Sequence, residues 1–92
     1  MTKYRIAELI NGVANESTVF GVQINEDYFI TVSHRTYYRD GDANTCYRMN
    51  LVRDAKTGCN LDNEIIAYET IKENASDRVV INRYNKLVAK IR

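Results

Sequence analysis

Apolar and polar residues alternate with a period of two in three segments of this 92-residue chain. The apolar positions are Phe20, Val22 and Ile24, then Tyr28, Ile30 and Val32, then Tyr47, Met49 and Leu51. Successive side chains of a β-strand point to opposite faces of a sheet, so this spacing indicates strands with one apolar face. Short polar connections at 25–27 and 39–44 contain the residues that turns favour. We therefore predict an antiparallel meander.

The same alternation assigns the two faces of the predicted sheet. The inner face is predicted to contain Phe20, Val22, Ile24, Ile30, Val32, Tyr47, Met49 and Leu51. The outer face is predicted to display Arg35, Tyr37 and Arg48. A further strand is predicted over residues 4–10, because apolar residues alternate imperfectly there before the turn-forming pair Asn11-Gly12.

The apolar pattern changes after residue 60. Apolar residues recur every three or four positions from Leu61 to Ile71, which predicts a helix over residues 61–75. A strand is the alternative, because most of these residues are β-branched or aromatic. Residues 79–91 are predicted to form a hairpin centred on Asn85 or one long kinked strand. The predicted fold class is α+β: a twisted antiparallel β-sheet, a meander of five or six strands, with one helix packed on one face, in a single domain of residues 1–92.

Composition limits the setting of the protein. A chain with 45% hydrophobic and 27% charged residues is typical of one soluble globular domain. No apolar stretch is long enough for a signal peptide or a membrane helix, so we expect a cytoplasmic protein that does not bind membranes. Cys46 and Cys59 have neither the spacing of a zinc motif nor that of a disulfide framework. We expect ordinary thiols, with no metal and no cofactor.

His34 is the single histidine and the first candidate for chemistry. The stretch from Phe20 to His34, a glycine-bearing strand followed by an apolar strand that ends in Ser33-His34, resembles the strand pair that carries the general base of chymotrypsin-like proteases. That resemblance implies a second barrel with a Gly-Asp-Ser-Gly nucleophile motif, and this sequence contains neither. A base without a nucleophile and an oxyanion hole does not perform acyl transfer. We predict a histidine at the end of a strand.

Other catalytic or metal-binding motifs are incomplete. Residues 40–44 alternate oxygen ligands like the first half of a calcium loop, but Thr45 replaces the required glycine and Leu51 the bidentate glutamate. A turn explains residues 40–44 better. A thiolate pair of Cys46 with His34 is the weaker alternative to a packing cysteine. No phosphate-binding glycine loop is present. The sequence therefore predicts that the protein is not an enzyme.

Charge is unevenly distributed along a chain whose formal net charge is only +1. Acidic residues predominate over residues 54–77, whereas residues 78–92 carry basic side chains and no acidic one. We predict that the basic tail and the outer face of the hairpin converge on one binding surface. Its candidate residues are Arg35, Tyr37, Arg39, Arg48, Arg83, Lys86, Lys90 and Arg92. The alternative is an ordinary solvated surface, partly neutralised by Asp62, Glu69 and Glu73.

These observations favour a binding protein. The primary prediction is a small non-enzymatic regulatory or inhibitor protein that binds a macromolecular partner, most simply another protein, through a sheet edge that no proline blocks. The absence of proline with many Asn, Ile and Lys residues is typical of an AT-rich genome, and favours a phage-type accessory protein acting on a host machine. The alternative is an RNA- or DNA-binding module that uses the arginines and tyrosines of the hairpin and the basic tail. A sheet edge also allows a homodimer in place of a monomer.

Overall fold

The computed structural model describes Ile6 and residues 21–92. Its elements are β1 (Gly21–Gln23), β2 (Tyr28–Arg39), β3 (Asp42–Arg53), a short 3₁₀ turn (Asn60–Asp62), β4 (Glu64–Lys72) and α1 (Asp77–Ala89). The strands form one antiparallel sheet in the order β1-β2-β3-β4. The predicted α+β class, with an antiparallel sheet and one helix, is confirmed. The described residues contain four strands, where the sequence predicted five or six.

The predicted first strand, over residues 4–10, lies outside the described residues except at Ile6. Ile6 has helical backbone, so the strand prediction is wrong at that position. Its side chain is fully buried and belongs to the hydrophobic core.

The β2–β3 hairpin is the longest feature of the sheet. Its strands pair without interruption from Tyr28 opposite Arg53 to Arg39 opposite Asp42. Asp40 and Gly41 form the connection, with φ of 53° and 84°. Two central residues with positive φ match the twist of the flanking strands, and Asp-Gly is a sequence that favours such a turn. The predicted turn over 39–44 is therefore confirmed but shorter, because Asp42 already pairs.

The predicted helix over residues 61–75 is wrong, because this segment contains strand β4. The helical pattern would require Leu61, Ile65 and Tyr68 to share a buried stripe, yet their exposed fractions are 93%, 54% and 52%. The buried side chain on β4 is Ile71, which lies opposite Tyr47 of β3. β-branched and aromatic side chains pack well on a pleated surface, so this composition suits a strand once β3 offers an unpaired edge.

The predicted hairpin over residues 79–91 is also wrong, because the tail forms α1. Ser76 caps the helix: its Oγ accepts a hydrogen bond from the backbone N–H of Val79 at 3.4 Å. Asp77 follows in the first turn, where a negative charge is favourable. The side chains that pack inward recur at helical spacing, and they are Val80, Tyr84, Leu87, Val88 and Ile91. Asn85, the predicted turn centre, is exposed in the middle of the helix.

The hydrophobic core lies between α1 and the face of the sheet that the sequence predicted as inner. Its fully or nearly fully buried residues are Ile6, Ile30, Val32, Tyr47, Met49, Leu51, Ile71, Val80 and Leu87. The prediction is confirmed for the five inner-face residues of β2 and β3; Val22 and Ile24 are partly buried, and Phe20 lies outside the described residues. In the described part of the chain, no helix has the length and apolar character needed to cross a membrane.

Element lengths leave part of the hairpin uncovered by the helix. A strand of 12 residues spans about 40 Å, whereas a helix of 13 residues spans about 20 Å. Accordingly the second half of β2, from His34 to Arg39, is exposed, while the first half is buried or half-buried. The tip of the hairpin therefore extends beyond the core.

Candidate binding surfaces

The face of the sheet opposite α1 carries the hairpin residues that the sequence singled out. We call this side the open face, because no other described strand or helix packs on it; the 3₁₀ turn borders its end, where Asn60 lines a hollow with Phe29 and Val52. Arg35, Tyr37 and Arg39 occupy alternate positions of β2, and Arg48 of β3 lies on the same face, opposite Ser33. The predicted outer face of the hairpin is thus confirmed.

Strand β4 adds a cation to this face that the sequence prediction missed. Cys46 lies opposite Arg35 on one side and opposite Lys72 on the other, so these three residues form one row across the sheet. Lys72 was missed because the segment was predicted as a helix. The strand alternative contained the signal, since it places Tyr68, Thr70 and Lys72 on one face.

Arg48 and Tyr68 form a stacked pair at the centre of the open face. The guanidinium carbon of Arg48 lies 3.5 Å from the centroid of the Tyr68 ring. At this distance the cation contacts the negative face of the ring, and the guanidinium plane is held over the sheet. The Tyr68 side chain remains 52% exposed.

Asn50 lies beside this pair and is only 5% exposed. Its Nδ2 donates hydrogen bonds to Thr31 Oγ1 at 3.2 Å and to Ser33 Oγ at 3.3 Å. Its Oδ1 and the Nε of Arg48 are buried without a hydrogen-bond partner. Buried polar atoms in this state are uncommon and energetically unfavourable. Asn50 Oδ1 and Arg48 Nε are therefore buried polar atoms without a partner beside Tyr68.

The cations of the open face take part in no ion pair with the residues that the structure describes. Among the described residues, the salt bridges join Arg53 to Glu64 at 3.6 Å and Lys86 to Glu69 at 3.7 Å. Of the predicted binding residues, only Lys86 is thus paired with an acid of the 62–73 segment. The open-face strand positions carry four cations, Arg35, Arg39, Arg48 and Lys72, against one acid, Asp42.

Apart from Arg83, the basic residues of the tail do not join the open face into one patch. Arg83, Lys86 and Lys90 have helical spacing i, i+3 and i+7, so they share one side of α1. Because α1 packs on the opposite face of the sheet, the sheet separates these residues from the hairpin arginines. Arg83 comes closest, in a hollow at the β4 edge that Lys72 also lines. Arg92 lies beyond the end of the helix. The predicted single surface of tail and hairpin residues does not form, because the tail is a helix. The helix buries its apolar stripe against the other face of the sheet.

His34 and the two cysteines do not assemble a nucleophile and base. His34 lies on the α1 side of the sheet, with its ring centroid 5.1 Å from that of Tyr47. Cys46 lies opposite Arg35 and therefore on the other face, so the sheet separates it from His34. Cys59 is a free, exposed thiol in the loop before β4. Within the described residues, no group of three or more potential ligands could hold a metal ion.

The surroundings of Tyr47 shift its titration. Burial raises the pKa of its hydroxyl above the usual value of 10.0, and the negative charge of Glu73 raises it further. Glu73 also accepts a hydrogen bond from Thr45 Oγ1. The hydroxyl therefore stays protonated and neutral at physiological pH, as a packing residue does.

The outer edge of β4 is the second exposed feature. β4 is the last strand of the sheet, and the described residues pair with it only along its β3 side. Half of the backbone N–H and C=O groups of an edge strand point away from its neighbour. A bulge at Ile66 interrupts the regular pairing, because Leu51 and Val52 lie opposite Ala67 and Ile65. Ile65 and Tyr68 present exposed apolar surface along this strand.

Comparisons with protein-family models, with curated proteins and with solved structures find no match to this chain.

Proposed function

We propose that this protein is a small non-enzymatic regulator or inhibitor that binds another protein through the outer edge of β4. The supporting observation is a nine-residue edge strand whose outer side is unpaired among the described residues. Outward-pointing backbone donors and acceptors recognise an extended polypeptide, because a second strand satisfies all of them. The partner is accordingly a protein segment in extended conformation.

Side chains on β4 supply selectivity for such a segment. Ile65 is 54% exposed, and an added strand would cover it. Glu64, Glu69 and Lys72 are the charged residues of the strand and would select among partner sequences. Charged residues and a bulge also reduce indiscriminate pairing of edges.

The proposed function agrees with the cellular location that the composition favours. It places the protein in the cytoplasm, where the free thiols of Cys46 and Cys59 stay reduced. It also retains the role of a phage-type accessory protein that acts on a host machine. Binding, not turnover, is its activity.

Two substitutions of isoleucine by lysine test the edge. Ile65→Lys places a charge on β4, whereas Ile81→Lys places the same charge at an exposed position of α1. A partner recovered stoichiometrically from nuclease-treated lysate should bind the wild type and Ile81→Lys, and should bind Ile65→Lys at least about tenfold more weakly, as expected for a lost anchor residue. Circular dichroism checks that both variants are folded.

Hydrogen exchange on the purified complex locates the contact. The outward amides of β4 should exchange rapidly in the free protein and slowly in the complex. Equal binding by Ile65→Lys and Ile81→Lys, or unchanged exchange in β4, would contradict the edge proposal. Sedimentation of the free protein distinguishes the competing occupant, a second copy of the chain.

A further inference from the structure

From the charges and rings of the open face, we infer that it binds single-stranded nucleic acid. This surface includes the side chains of Tyr68 and Lys72 on β4 but not the outward backbone groups of that strand, and the inference does not depend on the proposed protein partner. Four cations, Arg35, Arg39, Arg48 and Lys72, lie on this face, and none takes part in the ion pairs found among the described residues. An excess of unpaired cations on one face attracts a polyanion.

The spacing of these cations suits an extended chain of phosphates. Arg35 and Arg39 are four residues apart on β2, which corresponds to about 13 Å along the strand. Lys72 extends the row of Arg35 across β3 to the edge of the sheet. The positive charges therefore form a track along the hairpin and across it.

Exposed rings distinguish this surface from a general anion site. Tyr37 is 48% exposed and Tyr68 is 52% exposed, and both lie on the open face. Flat rings and guanidinium planes stack on unpaired bases, as Arg48 already stacks on Tyr68. An acidic peptide has the charge to bind here but no planes to stack. A duplex keeps its bases stacked on one another, so it cannot use the rings.

Polar groups that can contact base edges lie between the rings and the charges. The hydroxyls of Thr31 and Ser33 and the amide of Asn50 occupy neighbouring positions on this face. The unpartnered Oδ1 of Asn50 is an acceptor, and the unpartnered Nε of Arg48 is a donor. Both atoms are buried, so their contact with a base requires the Arg48 side chain to move.

The test measures fluorescence anisotropy of labelled single strands of about 20 nucleotides, as oligo-U and oligo-dT, at increasing salt. If the four cations each replace a counterion, the plot of log Kobs against log salt has a slope of about −3. The double variant Arg35→Ala/Arg39→Ala should bind more weakly, and its slope should fall to about −1.5. Both arginines are exposed near the hairpin tip, so the fold is retained.

The helix supplies a matched control for charge. Arg78→Ala/Lys90→Ala removes two exposed positive charges from α1 and the residue that follows it, on the opposite side of the sheet, and should leave the affinity within about twofold and the slope unchanged. Tyr68→Leu should weaken binding about tenfold or more, because stacking on one base is lost. Tyr38→Leu, on the α1 side of the sheet, should have no effect.

Four results would overturn the inference. They are no binding of either oligonucleotide at low salt, an equal loss in the hairpin and helix double variants, equal binding of Tyr68→Leu and wild type, and equal or tighter binding of a duplex or of polyglutamate. The RNA and DNA strands differ only in the 2′-hydroxyl and the thymine methyl, so unequal affinity for them would assign the natural ligand while supporting the inference.

Discussion

Ile65 and Ile71 are identical side chains on the same strand in different environments. Ile71 is fully buried between the sheet and α1, whereas Ile65 is 54% exposed on the open face. The bulge at Ile66 shifts the alternation between these positions. At the residue scale, burial and not chemical type decides what a side chain contributes to stability.

Alanine substitutions at these two positions should separate the environments. Ile71→Ala leaves a cavity in the core and should lower the free energy of unfolding by about 2–5 kcal/mol. Ile65→Ala removes surface that is already in contact with water and should change it by less than about 0.5 kcal/mol. Urea denaturation followed by circular dichroism measures both. Similar losses at both positions would mean that the strand or its register is wrong.

At the scale of elements, the apolar spacing predicted a helix where β4 lies and strands where α1 lies. Both segments contain β-branched residues at positions that fit either period. The cap formed by Ser76 favours a helix in the segment that follows it. The edge of β3 favours a strand in residues 64–72, which pair with it. Ser76-Asp77 before an apolar run was visible in the sequence as a helix start.

Asn85 tests whether the tail is a helix or a hairpin. In the exposed middle of α1, Asn85→Ala should stabilise the protein by up to about 0.7 kcal/mol, because alanine is the better helix former. Asn85→Gly should be about 1 kcal/mol less stable than Asn85→Ala. Thermal denaturation of the two variants measures the difference. A hairpin turn at this position would reverse the order, since glycine favours turns.

At the scale of the whole molecule, one layer of helix covers one face of one sheet. The core joins side chains from β2, β3, β4 and α1 with Ile6, so these parts share a single set of buried contacts. No second core is present among the described residues. Within the described part of the chain, this arrangement leaves the open face and the β4 edge for binding.

A shared core predicts that the protein unfolds as one unit. Urea denaturation should give one transition with the same midpoint by far-ultraviolet circular dichroism and by tyrosine fluorescence. The first signal follows the helix and the sheet, and the second follows the packing around the rings. Separate midpoints would indicate that the helix or the hairpin tip unfolds independently, and would contradict a single domain.

Sequence reasoning recovered the hairpin and its faces because the evidence for them is local. The alternation from Tyr28 to Val32 and from Tyr47 to Leu51, with Asp40-Gly41 between, specifies strands, turn and faces together. Arg35, Tyr37 and Arg48 therefore received their correct face. The face of Lys72 and the position of Arg83 were not predicted correctly, because each depends on whether its segment forms a strand or a helix.

By itself, the sequence determined the two long strands, the turn between them and the apolar face that becomes the core; the α+β class was correct, but its helix was assigned to the wrong segment. Only the tertiary structure decided that residues 64–72 complete the sheet and residues 77–89 cover it, and hence that the basic residues lie on two sides. The physical reason is that local preferences for strand and helix differ by less than about 1 kcal/mol per residue, whereas pairing with β3 and burial against α1 act on whole segments at once.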